Sequence, residues 1–101
     1  MKREEIGKIK DPFKKFLAFL SYAGIESDRI LIFSNRPAVA VPKTATIRNP
    51  DLSVETETFI DDGREIELLV ISPSPELKGE WERLWREYKE ENMSKGGKHE
   101  N

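Results

Sequence analysis

The amino-acid sequence predicts an α+β domain with an N-terminal helix, an antiparallel sheet of about four strands and a C-terminal amphipathic helix. Three observations predict it: a helical apolar period stands near each end of the chain, β-branched and aromatic runs lie between, and the turns joining those runs are too short for helical crossovers. With 101 residues and no Pro/Gly/Ser-rich divide, one core is expected. Residues 1–10 form a charged N-terminal segment, 11–93 the domain, and 94–101, which hold no apolar side chain, a disordered tail.

The first helix starts at Asp11-Pro12: the carboxylate can accept free backbone N–H groups of the first turn, and proline fits a position whose missing donor does no harm. Phe13, Phe16, Leu17 and Leu20 follow at helical spacing, with Lys14 and Lys15 on the wet side. Gly24 supplies a left-handed stop near Ala23, from which Ile25 can fold back. Arg29 to Ser34, holding Ile30-Leu31-Ile32-Phe33, reads as a strand covered on both faces and ended by Asn35-Arg36-Pro37. Ala38 to Val41 and Thr44 to Arg48 read as a second strand interrupted at Pro42, which lacks a donor and so favours an edge. Asn49-Pro50-Asp51 is the next turn.

The 53–72 segment is a hairpin. A three-residue loop, Asp61-Asp62-Gly63 with a glycine bulge, pairs Ile60 with Arg64 and sets Val54, Thr56, Thr58 and Ile60 on one face with Ile66, Leu68 and Val70. A two-residue loop at Asp62-Gly63 would instead mix Ile66 and Leu68 with Glu55 and Glu57, so the longer loop is preferred. Ser74-Pro75-Glu76 then opens a second helix on which Leu77, Trp81, Leu84, Trp85 and Tyr88 recur at spacings of three and four, to about Glu91.

Composition narrows the function. The chain has no cysteine, which removes thiol catalysis, zinc knuckles and iron–sulfur ligation. Its longest apolar run is Phe16 to Leu20, and its opening residues lack the apolar stretch of a secretory leader, so a cytoplasmic protein without membrane contact is expected. The 36% of charged residues, with glutamine absent, resembles thermophile surfaces. Charge is unevenly placed, with ten Lys/Arg against five Asp/Glu in residues 1–50 and seven against fourteen in 51–101. Such a split can steer an anionic partner or join two copies head to tail.

No catalytic residue, cofactor loop or small-molecule substrate can be named. His99, the one histidine, lies in the tail, and no Gly-x-Ser-x-Gly elbow or Gly-rich phosphate loop exists. The acidic hairpin carries Glu55, Glu57, Asp61, Asp62, Glu65 and Glu67 against Arg64 alone, and the preferred register sets Glu57 opposite Glu67. These two are the weak candidates for a hard metal such as Mg²⁺, as in a metal-dependent hydrolase. Pro50-Asp51 followed by Glu65-Ile66-Glu67 nevertheless lacks the lysine of the Asp…Glu-x-Lys hairpin of metal-dependent nucleases. The basic N-terminal half offers Lys8, Lys10, Lys14 and Lys15 as candidate nucleic-acid contacts, diluted by Glu4, Glu5 and Asp11.

The favoured expectation is a non-enzymatic domain acting through protein contact, most simply a homodimer. Trp81, Trp85 and Tyr88 are its expected interface, because large aromatic side chains with polar tips sit readily at a subunit boundary.

Overall fold

The computed structural model describes residues 3–100, and side chains for 4–92. It is an α+β fold: α1 (Arg3–Gly7), α2 (Pro12–Tyr22), β1 (Ile25–Glu26), β2 (Leu31–Ile32), β3 (Val39–Val41), β4 (Thr46–Ile47), β5 (Ser53–Asp61), β6 (Arg64–Ser72) and α3 (Lys78–Glu100). Two antiparallel sheets are present, β1-β4 and the four-stranded β2-β3-β6-β5. Among the described residues no helix is long and apolar enough to cross a membrane.

Local chemistry sets the bounds of α2. Asp11 caps it, accepting from the Phe13 N–H at 3.3 Å, and Pro12 follows; Gly24 leaves it at φ 108°. The buried stripe is Phe16, Phe19 and Leu20; Phe13, expected in it, is 43% exposed. The stripe is displaced because α2 lies against α1, β1 and α3 at once, so the arc that is covered turns toward Phe19.

One core joins this stripe to Ile6, Ile25, Val39, Val41, Leu52, Ile71, Trp81, Leu84 and Trp85. Ile6 makes α1 part of the domain, although the segment that carries it reads from sequence as merely charged. The rings of Phe16 and Phe19 meet Trp81 edge-on, with centroids 5.9 and 6.2 Å away.

Four strand expectations are corrected. β2 is two residues long and an edge, with Leu31 52% exposed, because it pairs with β3 alone and leaves the sheet after Phe33. β3 is interior, not an edge: Pro42 falls one residue beyond the last paired position, Val41, so its missing donor lies outside the ladder. The chain after Pro42 does not continue that strand but crosses to pair with β1 in the small second sheet. The hairpin closes through a two-residue loop, pairing Asp61 with Arg64. Asp62 at φ 53° and Gly63 at φ 78° both take left-handed conformations, the signature of a type I′ turn.

That turn moves every residue of β5 to the opposite face from the one expected. Val54, Thr56, Thr58 and Ile60 now share a face with Ile71, Leu69, Glu67 and Glu65, while Glu55, Glu57 and Phe59 share the other with Val70, Leu68 and Ile66. Hydrophobic patterning dictates register only where a face is buried. β3 reaches only Leu69–Ile71, so beyond it the hairpin has no neighbour in the sheet, and turn chemistry decides.

α3 begins at Lys78, four residues after the expected cap Ser74, whose carbonyl instead accepts the Leu77 N–H in a turn ahead of the helix. Its backbone runs to Glu100, past the expected end at Glu91. The reading of 94–101 as a disordered tail, His99 included, falls outside the residues whose side chains are described.

Candidate functional site

The hairpin supplies one edge of the four-stranded sheet. Both of its strands are nine residues long, and among the described residues the only helix or strand beside β5 is β6. Two partly neutralised carboxylates sit on it. On one face Arg36 donates from Nη2 to Glu57 Oε1 at 2.8 Å while its guanidinium lies 4.4 Å over the Phe33 ring. On the other, Lys43 donates from Nζ to Glu67 Oε1 at 2.7 Å.

Glu57 and Glu67, expected to face each other, therefore occupy opposite faces: Glu57 pairs with Leu68 and Glu67 with Thr58. They cannot share one cation. Among the described residues no group of three or more His, Asp or Glu side chains is placed to hold a metal ion. The partners Arg36 and Lys43 are far away in sequence; the Asp62-Gly63 pair, a strong type I′ signal, was the local clue to the register that brings them there.

The face bearing Glu57 carries a second, smaller core. Ala38, Ala40 and Val70 are covered there by Phe33, Phe59 and Leu68. In a flat sheet three spacings of about 4.8 Å would separate edge strands β2 and β5. Phe33, just after β2, and Phe59 on β5 nevertheless have ring centroids 6.0 Å apart. Both rings therefore lean inward over this cluster, and among the described residues no helix side chain belongs to it.

The aromatic stripe of α3 does not form the expected outer surface. Trp81 is 0% and Trp85 8% exposed, both in the chain's own core. Trp85 Nε1 donates to the Phe33 carbonyl at 2.7 Å, which ties α3 to the end of β2. Tyr88 is half-buried with its ring centroid 5.8 Å from that of Phe13. The sequence shows the stripe but not how much cover α2 and the sheet provide for it.

Lys8, Lys10 and Lys14 are exposed around the α1–α2 junction, while Lys15 is half-buried with Nζ 3.7 Å from Glu87 Oε1. A separate cleft of about 740 Å³ opens between α2 and the small sheet, with Leu17, Ile25, Ile30 and Ala45 as its apolar lining and Glu26, Asp28 and Arg29 as its charged one. Arg48 occupies the Glu26 carboxylate at 2.7 Å, and Ser27 closes a turn onto Arg29.

No family model, curated protein or solved structure matches the chain.

Proposed function

We propose that the protein is a non-catalytic protein-contact domain that self-associates, and that the contact surface is the β5–β6 hairpin. One observation carries this reading. On a strand with no neighbour beyond β6, Ile60 is 70% and Val54 40% exposed, whereas the tryptophans expected to supply the contact lie in the core. The free edge of a strand is a template for another chain, and two large apolar side chains on that strand favour being covered.

A second copy is the simplest partner, because strand pairing supplies affinity through backbone groups that every copy carries. Sedimentation equilibrium or light scattering at micromolar concentration is expected to give twice the 11.7 kDa chain mass. Ile60→Lys, which changes no core residue, is expected to return the protein to the chain mass with its helix and strand content intact. A wild-type protein that stays at the chain mass across that range overturns the reading.

A further inference from the structure

Resting on that reading, we infer that two copies join edge to edge through β5, antiparallel about a two-fold axis at Glu57, so that two four-stranded sheets become one continuous sheet.

The free backbone groups of β5 are the first observation. In a two-residue hairpin the residues flanking the loop, here Asp61 and Arg64, form a mutually hydrogen-bonded pair. Counting back by twos, Phe59, Glu57, Glu55 and Ser53 aim their N–H and C=O groups at β6. Ile60, Thr58, Thr56 and Val54 aim theirs at the open edge. Only registers that match these outward residues with one another can pair the two edges.

The order of side chains selects among those registers. Centring on Glu57 sets Val54 opposite the partner's Ile60 and Thr56 opposite the partner's Thr58. The two exposed apolar side chains then cover each other, and the threonines form favourable cross-strand pairs. All four outward residues of each strand are paired, giving about eight inter-chain backbone hydrogen bonds. Centring on Thr56 or Thr58 leaves Ile60 or Val54, respectively, without an outward partner in β5.

Carboxylates on an edge ordinarily oppose pairing. Here Glu55 falls opposite the partner's Phe59, and Glu57 meets its own copy. Like charges placed directly opposite repel. Each Glu57 already holds Arg36 at 2.8 Å, so the axis gathers two carboxylates and two guanidinium groups of balanced charge. A single strand order, Ser-Val-Glu-Thr-Glu-Thr-Phe-Ile-Asp, thus answers apolar, hydroxyl and charge matching together.

The chain has no cysteine, so a single introduced one reports on symmetry. In this register the two Glu57 Cα atoms form a non-hydrogen-bonded pair about 4.5 Å apart, within disulfide reach. Two Glu55 positions are displaced by four residues, about 13 Å along the strand, and out of reach.

Under mild oxidant, Glu57→Cys is expected to run as a covalent dimer on a non-reducing gel and Glu55→Cys as a monomer. Thr58→Pro removes a donor aimed at the open edge and spares the β5–β6 ladder. It is expected to weaken the dimer at least about tenfold while the circular dichroism stays that of the wild type. If wild-type protein is dimeric but Glu55→Cys cross-links as readily as Glu57→Cys, or Thr58→Pro leaves the dimer unchanged, the edge-to-edge register is overturned and self-association stands. Wild-type protein at the chain mass overturns both.

Discussion

Replacing Trp81 by alanine is expected to lower the free energy of unfolding by about 3–5 kcal/mol, read as a shift of the urea midpoint at unchanged slope. Among the described residues Trp81 is the largest fully buried side chain, and it stands where α2 and α3 meet, in edge-on contact with Phe16 and Phe19. Removing it opens a cavity bounded by two rings on a helix that cannot collapse without also moving Leu20 from the core. For a domain whose whole stability is about 5–15 kcal/mol, a loss of that size populates unfolded chain.

Trp81→Phe separates volume from polarity. The indole Nε1–H is buried and finds no acceptor among the described residues. A buried donor without a partner costs about 1–3 kcal/mol, so phenylalanine regains part of what its smaller ring loses. The expected loss is less than half that of alanine. Equal losses for the two substitutions would show that the indole N–H carries no such penalty, and a loss below about 1 kcal/mol for alanine would remove Trp81 from the centre of the core.

The fate of Trp81 also shows what the sequence discloses. Its spacing with Leu77, Leu84 and Trp85 makes the buried stripe of α3 legible, but the same stripe reads equally well as an interface. The deciding quantity is the cover offered by other elements, and cover is a property of three-dimensional placement. For α2 the cap and stop were legible because Asp11, Pro12 and Gly24 act through local backbone chemistry. Strands of two residues, β1, β2 and β4, leave no period to detect, and Ile6 and Ile9 are too few among the charges of residues 2–10 to show which of them is buried.

The candidate site illustrates the opposite error. A three-residue loop follows from letting the apolar pattern of Val54 to Val70 set the register as one consistent face. The structure buries only the end near Val70 and Ile71, and from Leu68 to the tip the faces are free to mix Phe59 with Glu57. Asp62-Gly63 then sets the register by the ease with which both residues take positive φ. Strand alternation sets Val54 and Ile60 on one face, and that register turns their backbone groups outward, the arrangement on which the proposed contact rests.

Gly24→Ala is the second substitution with a large expected effect, about 2–4 kcal/mol, from two sources at one atom. Gly24 sits at φ 108°, a conformation L side chains rarely adopt, and a Cβ built there would lie 2.9 Å from Asn49 Cβ and 3.0 Å from Asn49 N. The near atoms cannot yield easily. Asn49 Nδ2 donates to the Ala23 carbonyl at 3.1 Å, and the Arg48 N–H donates to the Gly24 carbonyl at 2.7 Å. These bonds hold the exit of α2 against the end of β4, so relief by moving Asn49 loosens both the helix stop and the β1–β4 pair.

Gly63→Ala is the matched control, because Gly63 also has positive φ, 78°, but open space around it. It is expected to lose about 1 kcal/mol, from backbone conformation alone. Each kcal/mol shifts Tm by about 4–8 °C in a domain of this size, so thermal unfolding separates the two variants well. Equal shifts would mean that the Gly24–Asn49 approach adds nothing to the conformational penalty and that the seam between α2 and the small sheet is free to relax.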